Sequence, residues 1–155
     1  MRVLSWNCKG LGNASTVCYS KKIAREWKPD FMFLLETRLK QGQGRKLFMK
    51  WGFNRSFEVA RIGLSGGLAL GWNEDWEVLI LHCSPHFIHT EVIDPLGNTS
   101  CITFFYGHPV LSLRNQVWEE IQRLGNCIHH AWLCIEDFNQ VFTEADKFSF
   151  KNSSL

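Results

Sequence analysis

Three apolar runs in this chain each deliver polar side chains at their C-terminal end. They are Val3-Leu4-Ser5-Trp6-Asn7, Phe31-Met32-Phe33-Leu34-Leu35-Glu36, and Ala131-Trp132-Leu133-Cys134-Ile135-Glu136-Asp137-Phe138-Asn139. Runs of this length and content read as buried strands. In an α/β sheet, strand ends are where binding and reacting groups gather. One amide and two or three carboxylates converging there make a hard-oxygen site suited to Mg²⁺. The pattern therefore constrains both the fold class, α/β, and the chemistry.

The chain has 155 residues, enough for one domain with a sizeable core. Apolar residues make up 45% and charged residues 21%, ordinary globular usage that argues against global disorder. With 17 basic and 15 acidic residues the net charge is +2, so charge alone does not mark a nucleic-acid binder, nor does it exclude a phosphodiester substrate. Six cysteines follow an N-terminus in which Met1-Arg2 runs straight into a strand pattern without a signal peptide. Free, mostly buried thiols in a reducing compartment are expected, and with them an intracellular location, nuclear or cytoplasmic. No apolar run reaches the length of a membrane span.

Along the chain, 2–8 reads as a strand and 15–28 as a helix, capped by Ser15 with Tyr19, Ile23 and Trp27 on one face and Pro29 as its stop. A buried strand over 30–36 is followed by a short helix near 44–51, with Leu47, Phe48 and Trp51 apolar and Gly52 beyond its end. The middle then turns to short runs broken by Gly, Pro, Asn or Asp: 53–59, 66–72, 76–81, 87–94 and 100–106. That is a string of antiparallel strands, with Pro95-Leu96-Gly97-Asn98 as one of the turns. A helix over 112–124 places Val117, Ile121 and Leu124 on one face, and 131–136 is again a buried strand. From Ser149 the sequence becomes a polar tail, 149–155.

Each candidate residue has an ordinary alternative. Glu36 ends a strand where an unpaired carboxylate is costly, or else pairs with Arg38 or Lys40. Asp137 and Asn139 alternate along an extended segment and so can face one pocket, or else belong to an Asx-rich turn. Tyr106-Gly107-His108-Pro109 ends another strand, where a hydroxyl or imidazole can donate to a developing oxyanion, or simply form a turn. Cys127, His129, His130 and Cys134 match no standard zinc spacing. Gly66-Gly67 reads as a hairpin glycine pair, and His82, His86 and His89 as solvent-exposed.

Taken in order, Ser5-Trp6-Asn7-Cys8-Lys9-Gly10-Leu11-Gly12, Pro29-Asp30 before the strand ending Glu36-Thr37, Ser65-Gly66-Gly67-Leu68-Ala69, Phe105-Tyr106-Gly107-His108-Pro109 and Asp137-Phe138-Asn139 resemble the endonuclease/exonuclease/phosphatase superfamily. Within it the wording resembles the endonuclease domain of plant non-LTR (LINE-type) retrotransposons. The resemblance implies a four-layer α/β sandwich, two packed mixed β-sheets between helices. It implies Mg²⁺- (or Mn²⁺-) dependent hydrolysis of a phosphodiester, with DNA as the substrate. By the same resemblance Glu36 is the principal metal ligand, Asn7 the amide supporting metal and phosphate, and Tyr106 the tyrosine near the scissile phosphate. The resemblance likewise implies that Asp137 activates or orients the attacking water, with Asn139 holding it in place.

The chain departs from the pattern twice. Glu136 stands where the family usually has Gly, and no Asp-His dipeptide occurs, although the family places an Asp and an Asp-His pair in later strands. The expectation is an N-terminal portion of the domain over 1–148, C-terminally truncated and inactive as this fragment. Two alternatives stay open: a non-catalytic α/β interaction module that kept the fold, and a phosphatase of the same superfamily.

Overall fold

The structure, a computed structural model, describes residues 1–108 and 110–137. Asn139, Phe138, Pro109 and the polar tail lie outside the described residues. Among these residues eight strands and three α-helices follow one another in the order β1 (Val3–Asn7), α1 (Ala14–Trp27), β2 (Phe31–Leu35), α2 (Gln43–Trp51), β3 (Arg55–Val59), β4 (Leu68–Trp72), β5 (Glu77–Ser84), β6 (Phe87–Ile93), β7 (Thr99–Tyr106), α3 (Arg114–Gly125) and β8 (Ala131–Asp137). The strands form two four-stranded sheets, ordered β1-β2-β4-β3 and β5-β6-β7-β8. Each sheet is mixed: β1–β2 and β7–β8 are parallel and the other pairs antiparallel.

Alternation along β2 explains the layering. Phe31, Phe33 and Leu35 face the second sheet, meeting Leu68, Leu70, Ile88, Ile102 and Phe104 in the core between the sheets. Met32 and Leu34 point the other way, into a cluster with Ala24, Phe48 and Trp51 of α1 and α2. On the far side, Phe87 and Phe105 pack against Val117 and Ile121 of α3. Helices, sheet, sheet, helix: this is the four-layer α/β sandwich expected from the resemblance. Gly71 on β4 shows how tight the outer layer is, because a Cβ there would run into the Phe48 ring.

Several local expectations are corrected. The cap of α1 is Asn13, whose Oδ1 accepts from the Ser15 amide at 2.9 Å, so the helix begins a residue earlier. Its buried face carries Ser20 and Ala24, while Tyr19 and Trp27 are exposed; small residues let the helix lie close on the sheet, and large rings at that contact would hold it off. Only Cys8 and Cys101 of the six free thiols are buried. Residues 131–134 of β8 are exposed, since its described strand partner is β7 alone. His89 is buried at 3% exposure, its Nδ1 2.8 Å from the Thr103 hydroxyl. Burial pushes its imidazole below the ordinary range, with His82 acting in the same direction.

Candidate active site

The two parallel strand pairs carry the site. In the first sheet Asn7 is in register with Leu35, so Asn7 closes β1 beside the start of the turn that holds Glu36. In the second sheet Tyr106 is in register with Asp137. Both pairs end at the same edge of the sandwich, and their side chains meet across it. The Asn7 amide nitrogen donates to Glu36 Oε1 at 2.9 Å and to Asp137 Oδ2 at 3.3 Å. The Tyr106 hydroxyl donates to the same Glu36 oxygen at 2.9 Å. Four of the five residues singled out from sequence thus form one hydrogen-bonded cluster, and the fifth, Asn139, lies outside the described residues.

Glu36 leaves its strand with φ +51, in the left-handed region that non-glycine residues seldom adopt. Such a backbone costs about 1–3 kcal/mol and persists only when its surroundings hold it. Here the Cys8 amide donates to the Leu35 carbonyl, the Thr37 amide to the Gly67 carbonyl, and the Arg38 amide to the Gly66 carbonyl. Gly66 and Gly67 are therefore more than a hairpin pair: the hairpin bridge is Ile62 with Ser65, and the glycines form the seat for 37–38. A Cβ on Gly67 would stand 2.6 Å from the Thr37 hydroxyl, at φ +89. The Cys8 thiol, pressed against the Leu35 carbonyl at 3.1 Å, is pushed up by burial and stays protonated.

The alternative pairing of Glu36 with Arg38 or Lys40 is not seen. Neither of the two ion pairs found among the described residues involves Glu36. Glu136 keeps β8 regular, in register with Phe105, so the residue that departs from the family pattern does not interrupt the strand. Beyond Glu36 and Tyr106 a cleft of about 560 Å³ opens, lined also by Arg38, Gly67, His86 and His108. His86 is half-buried rather than exposed, and its place next to His108 follows from β6–β7 pairing, which no local motif encodes.

Among the described residues no three His, Cys, Asp or Glu side chains gather as a metal cage. Mg²⁺ does not need such a cage, since it is held by one or two carboxylates and keeps its waters. Two carboxylates on one amide nitrogen are a donor set of this kind, and their mutual repulsion favours a cation between them. Asn7 presents its nitrogen to both carboxylates while its Oδ1 accepts from the Lys9 amide at 3.2 Å. Ligation through that oxygen would require the amide to turn.

No family model matches this sequence, and no curated protein matches it. Solved structures do match, at low identity. The human Nocturnin catalytic domain superposes with TM-score 0.70 at 14% identity, over 94% of this chain and 66% of that one. The Neisseria 3′ phosphatase NExo, bound to a product DNA hairpin, gives 0.66 at 15%, over 94% and 60%. The endonuclease domain of TRAS1, a telomere-specific non-LTR retrotransposon, gives 0.61 at 14%, over 89% and 58%. These neighbours are members of the endonuclease/exonuclease/phosphatase superfamily, and the chain has their fold. It spans less than two thirds of their length. Among the described residues no helix is long and apolar enough to cross a membrane.

Proposed function

We propose that this chain carries the first part of the active site of a divalent-metal-dependent phosphodiesterase acting on DNA, of the retrotransposon endonuclease type. The observation that supports it most is the Asn7 amide bonded to Glu36 and to Asp137, the latter 130 positions away and in the other sheet. A purely structural network has little reason to bring two carboxylates onto one donor at a cleft.

In this reading Glu36 and Asp137 would hold Mg²⁺ or Mn²⁺, with the Asn7 amide turned so that its oxygen, rather than its nitrogen, faces the ion. When bound, the ion neutralises charge on the phosphate. The Tyr106 hydroxyl turns its hydrogen bond from Glu36, which it bonds at rest, to a phosphate oxygen. The Asp137 carboxylate takes the proton of the attacking water as the water oxygen bonds phosphorus and the bond to the leaving sugar oxygen breaks. Reprotonation of the leaving oxygen is the step for which this sequence has no Asp-His pair, so the 155-residue chain alone is proposed to be inactive.

Nicking of supercoiled plasmid with Mg²⁺ at neutral pH tests this. The chain alone should stay at background, and a version extended by the C-terminal segment of a related domain should nick. Glu36→Gln and Asp137→Asn should each abolish that nicking, because losing one member of such a unit costs several powers of ten. Nicking that survives both substitutions would overturn the reading. Release of phosphate from a 3′-phosphorylated hairpin without nicking would favour the phosphatase alternative, since NExo is a 3′ phosphatase. No reaction in the extended version, with DNA binding kept, would favour the non-catalytic module.

A further inference from the structure

The cleft holds a second polar group that the cluster around Glu36 does not use. His86 precedes β6 and His108 follows β7; because those strands are antiparallel, the two residues come to the same end of the sheet. The Tyr106 amide donates to the His86 carbonyl at 2.6 Å, and the imidazole rings stand 4.7 Å apart, tilted by 42°. Both line the cleft that Glu36, Arg38 and Tyr106 also line.

The state of His108 is fixed by the turn after it. The Val110 amide donates to His108 Nδ1 at 3.0 Å, and the Arg114 guanidinium donates to the His108 carbonyl at 3.0 Å. A ring whose Nδ1 accepts carries its proton on Nε2. His108 is therefore a hydrogen-bond donor of defined tautomer, two residues past Tyr106. His86 differs: its Nδ1 is buried and has no hydrogen-bond partner among the described residues. Burial pushes its proton affinity down and His108 acts the same way, while Glu120 from α3 and a hydrogen bond with the Tyr106 backbone oppose them. Facing the pair are thus Glu36 and Arg38 in the cleft, Tyr106 on β7, and Glu120 and Arg114 on α3. An uncharged His86 ring can lie against its neighbour without repelling it.

We infer that His108, through Nε2–H, contacts a backbone phosphate of the DNA strand in this cleft, and that His86 is a positioning residue that holds the His108 ring. The inference rests on the phosphodiesterase reading and deepens it, by adding a donor which neither Glu36 nor Asp137 can supply.

The test uses the 155-residue chain and a short oligothymidylate with Ca²⁺, read by calorimetry and by nitrogen-15 histidine NMR. Binding should shift His108 Nε2 while Nδ1 remains an acceptor. His108→Gln, which keeps an N–H near the Nε2 position, should bind within about threefold of the unaltered chain. His108→Phe, which keeps a ring but no donor, should lose about tenfold. His86→Phe should retain affinity and His86→Ala should lose it, together with the defined His108 signal. Equal loss in His108→Gln and His108→Phe, or no loss in either, would overturn the inference while leaving the phosphodiesterase reading intact. No binding by the unaltered chain would overturn both.

Discussion

The Tyr106 hydroxyl lies 2.9 Å from Glu36 Oε1, tying the second sheet to the first at the edge where the strands end. Tyr106 is otherwise a core residue, 6% exposed and packed among Phe104, Leu68 and Leu35. One side chain therefore joins the core between the sheets to the cleft, so the spacing of the sheets sets the position of the carboxylate.

Tyr106→Phe separates these roles. The ring should stay in place and the core with it, so urea unfolding should show a loss of only about 1 kcal/mol, the net worth of one hydrogen bond. Among the described residues the Glu36 side chain then keeps its hydrogen bond from Asn7. A loss above about 3 kcal/mol would mean that the ring, rather than the hydroxyl, depends on the contact.

Two glycines should behave differently when changed to alanine. Gly71→Ala forces a methyl group into the buried Phe48 ring and should destabilise by about 1–3 kcal/mol, without effect on metal affinity. Gly67→Ala strikes the Thr37 hydroxyl and strains a left-handed backbone, disturbing the seat of the 36–38 turn. It should lower both stability and metal affinity. Thermal melts and metal titrations of the two variants give the comparison.

His89 and His86 should make the fold sensitive to mild acid. Each has a folded proton affinity lowered mainly by burial, relative to an ordinary imidazole at 6.5. Below that pH the unfolded chain takes up protons that the folded one does not, so stability is complete above about 6.5 and falls as pH drops below it. Urea unfolding at pH 7.5 and 5.5 measures the loss. His89→Gln, which can still bond Thr103, should remove part of it.

Much of this was legible in the sequence because it depends on local patterns. β2 is apolar at every position and proved buried on both faces. The turn after Asp94 was marked by Pro, Gly and Asn, and the Asp94 carboxylate does accept from the Leu96 and Asn98 amides. What was not legible depends on partners distant in the chain. Tyr19 and Trp27 repeat at helical spacing yet face solvent, because the side of α1 that meets the sheet is chosen by the small Ser20 and Ala24. The left-handed φ of Glu36 has no local sign, since it is held by backbone bonds from Cys8 and from the Gly66–Gly67 segment. The site itself was half legible. Strand-end polar residues could be named, but that Asn7 bonds both carboxylates follows only from how the sheets face each other.

The central claim is that Glu36 and Asp137 share a divalent ion. Titrating Mn²⁺ into isotope-labelled chain tests it without requiring catalysis, because the ion broadens NMR signals close to it. The side-chain amide of Asn7 and the backbone amides of Glu36 and Asp137 should broaden first, Mg²⁺ should reverse the effect, and Glu36→Gln should weaken it at least tenfold, roughly the cost of losing a charged ligand. Broadening centred elsewhere, such as around His129 and His130, or unchanged by Glu36→Gln, would contradict it.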